Sequence, residues 1–277
     1  MLSILTVESN VVAGVLTLVV CGIAGYGWRK WRGTTLAAPY IWVMISAASL
    51  GLLACAEIRG EESLRMSVAR FIAAASTLTP VIAVLGAKRP QDRGWQWIVL
   101  SLWVIVSWPA LQAMANPAGP RLELFMPWKL FIVALIIVGM LNYVPTRNSL
   151  ANVFVITGQC ILFSGFLGLP QPNGGLLLAV VFFITAAIFI AILRTASPLK
   201  SMFMPEHTER WLQFRDAFGA FWGLRILQRV NETAGLRNWP VRLEWTGFEQ
   251  VEDAEEITPA QQAEIEQTLD TLLRRFL

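Results

Sequence analysis

Residues 175–193 read GLLLAVVFFITAAIFIAIL, nineteen residues with no charge, no proline and one hydroxyl. About 20 mostly apolar residues are needed to cross the hydrocarbon core of a bilayer, so this run by itself points to a membrane protein. Arg194 closes it on one side, and Gly168-Leu-Pro-Gln-Pro-Asn-Gly-Gly175 opens it on the other as a tight turn. That turn is preceded by a second apolar run, and the pattern repeats back to the start of the chain. Seven stretches are expected to span: Val7 to Trp28, Ala37 to Ala56, Met66 to Gly86, Trp95 to Ala115, Phe125 to Val144, Leu150 to Gly168 and Gly175 to Leu193. The third contains Arg70, which lies one turn inside its end and can snorkel to the interface.

The whole chain agrees with this reading. Of its 277 residues 55% are hydrophobic and 15% charged, with mean hydropathy +0.55, 12 Trp and 15 Phe; a globular domain carries about a quarter charged residues. A disordered chain, a collagen-like chain and a secreted disulfide scaffold are excluded. Cys21, Cys55 and Cys160 are far apart and within apolar stretches, so no disulfide framework follows. With His207 as the single histidine, no metal site and no cofactor are expected.

Charge in the connections sets the orientation, because cytoplasmic loops carry the excess of lysine and arginine. Arg29, Lys30, Arg32, Lys88, Arg89, Arg93, Arg147 and Arg194 fall on one side against Asp92 alone. The other side balances Arg59, Arg65, Arg70, Arg121 and Lys129 with Glu8, Glu57, Glu61, Glu62 and Glu123. The expected fold is therefore an all-α membrane protein: a seven-transmembrane-helix bundle over residues 1–197, N-terminus outside and C-terminus inside, followed at 198–277 by a small, mainly helical cytoplasmic domain. A plasma (inner) membrane is the default location. The first helix, with no basic segment before it and Arg29-Lys30-Trp31-Arg32 behind it, reads as an uncleaved anchor.

Small residues at spacings of three and four let helix backbones approach in lipid. Such stripes occur in the first span (Gly14, Thr17, Cys21, Gly25), the second (Ala47, Gly51, Cys55), the third (Ala69, Ala73, Ser76 or Thr77, Pro80) and the sixth (Thr157, Cys160, Ser164, Gly168). Those four helices are expected at the centre, with the fourth and the bulky fifth at the perimeter. Pro80 and Pro109 deprive the carbonyls of Ser76 and Ile105 of their helical partners and should bend the third and fourth spans.

No Asp, Glu, Lys or Arg lies at mid-membrane depth, which disfavours a buried proton relay and an arginine voltage sensor. No nucleophile and base pairing, paired aspartates, HExxH, GxSxG or Walker A pattern is present, so no catalytic residue is assigned. Thr77, Thr79 and Ser107, hydroxyls beside the two prolines, together with Gln159 at mid-depth of the sixth span, are the candidate ligand-binding group. Glu57, Arg59, Glu61, Glu62, Arg65 and Arg70 form a polar cluster in the outer loop, where a glutamate pair is the candidate for acid–base work on a lipid headgroup.

From residue 198 onward nine cations face thirteen anions, whereas the preceding part holds thirteen cations and six anions. An acidic tail is not a nucleic-acid module. Pro205 starts a helix expected to reach Asn231, with Trp211, Phe214, Phe218, Phe221 and Trp222 as an aromatic stripe; the stripe either packs a small domain or lies on the inner leaflet with Arg215, Arg225 and Arg229 near headgroups. Val241 to Trp245 alternates as one strand, and Thr258, Pro259 and Gln261 start a second helix with Ile265, Leu269, Leu272 and Phe276 on one face. His207 is expected at the surface. Trp211, Phe218, Trp222 and Trp245 are the candidate partner-binding residues, and residues 205–277 the candidate surface for a cytoplasmic protein.

A count of seven spans is shared by many unrelated folds, and no motif carries a resemblance to any family. The first expectation is a non-enzymatic sensor or scaffold in the lipid bilayer whose cytoplasmic tail binds a partner. The alternatives are a transporter or channel for an uncharged or amphipathic small molecule, and a lipid-modifying enzyme using the outer-face glutamates.

Overall fold

The computed structural model describes residues 2–58, 63–117, 119, 121–195, 203–251 and 257–276. Its helices are α1 (Leu2–Trp31), α2 (Ala37–Glu57), α3 (Leu64–Ser76), α4 (Thr79–Leu85), α5 (Asp92–Ala115), α6 (Met126–Tyr143), α7 (Ser149–Leu167), α8 (Gly175–Thr195), α9 (Pro205–Arg237) and α10 (Pro259–Leu273). A hairpin of β1 (Val241–Glu244) and β2 (Gly247–Gln250) lies between the last two. Seven segments are long and apolar enough to cross a membrane: α1, α2, α3 with α4, α5, α6, α7 and α8. Each matches an expected stretch to within a few residues at either end, and the chain has the architecture of an integral membrane protein.

Proline and polar side chains shape the third span. It is divided into α3 and α4 at Thr77 and Leu78, because Pro80 has no N–H to offer the Ser76 carbonyl. That carbonyl accepts from Ser46 Oγ at 2.6 Å and Thr79 Oγ1 at 2.7 Å instead. Pro109, by contrast, stays inside a continuous α5. At the other end of α3, Ser63 Oγ caps the helix by accepting from Met66 N–H.

The third span is the centre of the bundle: 67% of its most apolar window is buried, against 22–33% for the other six. Phe71 meets Phe163 of α7 edge-on, and Ile132, Val99 and Val106 complete the interior. The expected central place of the first span is corrected, since Val15 and Leu18 of α1 are mostly exposed. Its stripe fits one neighbour only. A Cβ on Gly51 would lie 2.8 Å from Thr17 Oγ1, and one on Gly14 3.9 Å from Ala54 Cβ; small residues thus mark a close crossing and not a central position. In α7 the buried face is Ala151, Asn152, Gly158, Gln159, Phe163 and Ser164, while Cys160 of the expected stripe points outward.

Residues 203–276 fold against one end of this bundle. α9 consists of two helical segments joined at Gly219 (φ 78°, ψ −174°), and it runs past Asn231 to a left-handed stop at Asn238. The single expected strand is half of an antiparallel hairpin, Val241 opposite Gln250 and Glu244 opposite Gly247. β2 escaped the sequence reading because its outward residues break the alternation. α10 begins with the expected capping box, Thr258 accepting from Gln261 N–H and Gln261 Oε1 from Thr258 N–H. Trp211, Phe214, Phe218 and Trp222 of the aromatic stripe fill a core with Leu243, Phe248, Ile265, Leu269 and Phe276, and this core continues into Leu36, Val84 and Ala87 of the bundle, while Phe221 of the stripe faces outward.

Candidate functional site

The C-terminal unit is fastened to three connections of the bundle, those after α1, α4 and α6. Thr35 N–H donates to the Phe276 carbonyl at 3.0 Å, and Thr35 Oγ1 lies 2.9 Å from the carbonyl oxygens of both Ala87 and Phe276. Arg89 N–H donates to the Arg275 carbonyl, and Trp222 Nε1 to that of Val84 at 3.1 Å. These bonds take up carbonyls that a helix end leaves open.

The third connection holds the charged part of the joint. Asp216 is 8% exposed and bridges two guanidiniums: Arg147 of the bundle pairs with Oδ2, while Arg215 Nη2 and Nε donate to Oδ1 at 2.8 and 3.0 Å. Arg147 N–H also reaches Oδ1 at 3.1 Å, and Asn148 Nδ2 donates to the Asp216 carbonyl at 2.8 Å. Arg215 is itself 5% exposed, donates through Nη1 to the Trp245 carbonyl, and stacks 5.3 Å from the Trp245 ring. Trp245 Nε1 in turn donates to the Pro145 carbonyl. Beside this network Tyr143 OH donates to the Ala217 carbonyl, and Asn142 Oδ1 accepts from Phe221 N–H at 3.0 Å. A buried charge is held only when paired and hydrogen-bonded; here Arg215 and Asp216 pair within α9, and Arg147 adds a second guanidinium from the bundle.

The candidate residues from the sequence fall in three places. Trp211, Phe218 and Trp222 are fully buried in the shared core, so their contacts are made inside this chain; Trp245 lies half-buried over Arg215. Arg215 is buried inside the joint rather than exposed for contact with headgroups. His207, expected at the surface, is 5% exposed and edge-on to Phe248, with Nε2 unpartnered. Its place in the first turn of α9 suggested solvent, but the hairpin covers that turn.

Thr77, Thr79 and Gln159 come together at the break between α3 and α4. Gln159 Nε2 donates to the Thr77 carbonyl at 2.9 Å, Thr77 Oγ1 to that of Ala74, and Trp103 Nε1 to Ser76 Oγ at 3.1 Å. These groups brace the break and are spent on one another. Ser107, one turn along α5 from Trp103, is buried with its hydroxyl unpartnered. In the outer cluster Arg70 Nε donates to Glu57 at 2.6 Å and Arg65 is exposed. Arg59, Glu61 and Glu62 lie outside the described residues.

Arg147, Asp216, Asn142, Tyr143 and Asn148 were not singled out in the sequence, yet one signal was available. Arg215 follows Trp211 by four and precedes Phe218 by three, so an ionisable residue lies on the apolar face of its helix.

Lys88, on the connection after α4, has its ammonium 5.5 Å from the Trp222 ring centroid. Burial, added to the like charges of Arg275, Arg225 and Arg229, holds this ammonium below its ordinary 10.5. Compared with family models, curated proteins and solved structures, the chain has no match among any of the three.

Proposed function

We propose that the protein is a non-enzymatic membrane sensor or scaffold whose spans position the C-terminal unit for a protein partner. The carrying observation is the joint in which Asp216 bridges Arg147 of the bundle and Arg215 of the unit. A shift of α6 against α7 displaces Arg147 from Asp216, so the seating of the unit reports the arrangement of the spans; this is the bistable contact that a sensor requires. The charge asymmetry of the connections supports a cytoplasmic unit with the N-terminus outside, and a plasma (inner) membrane is the default location. The hydroxyls and amide of the α3–α4 break are engaged with backbone carbonyls, and Glu57 with Arg70, which leaves those groups little capacity for transport or catalysis.

The test is crosslinked capture from native membranes with the full chain, a chain truncated after Met204, and Asp216→Asn. The expected result is a discrete partner captured by the full chain, lost on truncation, and changed severalfold by Asp216→Asn. Capture that is identical for all three chains overturns the reading. Thermal melts of each chain separate loss of partner from loss of fold.

A further inference from the structure

At the seam between the α4–α5 connection and the second segment of α9, cations gather, and among them Arg229 is the one paired with an acid among the described residues, Glu232 at 3.5 Å. Lys88 Nζ approaches the Trp222 ring to 5.5 Å and Arg225 Cζ approaches the same ring to 5.2 Å, with Arg225 also 4.6 Å from the Phe221 ring. The Arg89 N–H to Arg275 carbonyl bond brings the end of α10 to the same connection. None of Lys88, Arg225 and Arg275 has a carboxylate partner among the described residues. Like charges gathered together destabilise one another unless an anion stands between them; Lys88 is lowered first by burial and then by Arg275, Arg225 and Arg229.

Beside the cations is exposed apolar surface on the same helix, Phe221 at 42% and Leu224 at 58%. Phe221 is pinned to the end of α6 through Asn142, on the turn where Leu141 and Val144 face outward at 60% and 47%. The apolar patch is therefore continuous with the lipid-facing belt of the bundle. Cations beside an apolar face at bilayer level match one occupant in charge and in depth.

We propose that this seam binds an anionic phospholipid of the adjoining leaflet, its phosphate taken by Lys88, Arg225 and Arg275 and its acyl chain by Phe221 and Leu224. The lipid would neutralise the cluster and cement the unit to the bundle. The site needs only a bilayer at this end of the molecule and is independent of whether a protein partner exists.

The full chain, reconstituted in nanodiscs of phosphatidylcholine with and without phosphatidylglycerol, is assayed by native mass spectrometry for retained lipid. Wild type is expected to retain phosphatidylglycerol preferentially. Each cation removed near an anionic surface weakens binding roughly fivefold, so Lys88→Gln with Arg225→Gln should weaken it about twenty-five-fold. Arg93→Gln, an exposed cation in the first turn of α5, should leave it unchanged. Undiminished retention by the double variant overturns the proposal, and so does equal retention of phosphatidylcholine. A melt raised as much by inorganic phosphate in phosphatidylcholine discs also overturns it, in favour of a free-anion site. Should the double variant fail to fold in phosphatidylcholine discs, the single exposed change Arg225→Gln decides, with a fivefold loss expected and no loss overturning.

Discussion

Asn142 at the end of α6 lies so close to Gly219 of α9 that a Cβ built on the glycine would fall 2.3 Å from Asn142 Nδ2. The same asparagine accepts the Phe221 N–H two residues on. One side chain thus fixes both the break in α9 and its seat on the bundle.

Gly219→Ala should therefore loosen the C-terminal unit. The backbone at φ 78° and ψ −174° is one that only glycine adopts without strain, and the clash adds to it, together about 2–4 kcal/mol. Asn142→Ala alone should cost about 1 kcal/mol for the lost bond. Combined with Gly219→Ala it should cost less than the sum, because the clash goes with the side chain. Hydrogen exchange is the readout: protection should fall in α9, the hairpin and α10 and stay unchanged in α3 and α7. Additive effects would sink the pairing.

The Asp216 bridge is unequal in its two arms. Arg215 is nearly sealed, so Asp216→Ala strands a buried cation at a cost of about 3 kcal/mol. Arg147 keeps 28% of its side chain exposed, and Arg147→Ala should cost roughly 1 kcal/mol, a figure already lowered for solvent screening. Salt should reduce the Arg147 coupling and leave the Arg215 coupling intact. A double-mutant cycle at low and high ionic strength measures both, and equal salt sensitivity would contradict this assignment.

Much of this fold was legible in the sequence because lipid imposes a simple rule: a span is one long apolar run. The seven runs, the Pro80 break and the Thr258 capping box all come from local constraints that a single segment satisfies by itself. The joint was not legible. Its partners Arg147 and Asp216 are 69 residues apart, and only packing α9 across the end of the bundle brings them together. Likewise the small-residue stripe of α1 identified a close crossing with α2, but such a stripe marks a crossing and does not say whether its helix lies at the centre or the edge.

Gln159 offers a sharper test of the middle of the membrane. Its amide caps the Thr77 carbonyl, which the α3–α4 break has left without a helical donor. Gln159→Leu should cost about 1 kcal/mol in a bilayer or detergent melt, as single interhelical bonds in membranes do. Because Gln159 is spent on backbone, small-molecule flux into proteoliposomes should not depend on it. A flux abolished by Gln159→Leu in a protein of unchanged melting temperature would favour the transporter reading.

Lys88 should titrate below the ordinary 10.5 of a lysine. Its folded-state value is lowered first by burial and then by Arg275, Arg225 and Arg229, so its charged form is disfavoured in the folded chain relative to 10.5 in the unfolded one. The penalty is fully present below the folded value and is relieved as pH rises from that value to 10.5, so in zwitterionic bilayers this group makes stability increase over that window. A carbon-13 methyl label on Lys88, read by NMR, follows this titration directly. A Lys88 resonance that titrates at 10.5 or above contradicts the crowding.

Sidedness needs a probe that folding does not mask. Asn231-Glu232-Thr233 has the form of a glycosylation site, but Asn231 exchanges two hydrogen bonds of 2.8 Å with the backbone of Leu243. A bare Asn231 is therefore expected on either side of the membrane, because its amide is already engaged in closing α9 onto β1. Cysteine labelling avoids this. With Cys21, Cys55 and Cys160 replaced, Glu123→Cys and Arg242→Cys place one exposed thiol at each end of the bundle. If the basic connections face the cytoplasm, an impermeant maleimide applied to intact cells should label the Glu123 position directly, and the Arg242 position only after permeabilisation. The opposite order would turn the protein over and put the C-terminal unit, with its lysine and arginine seam, on the outer face.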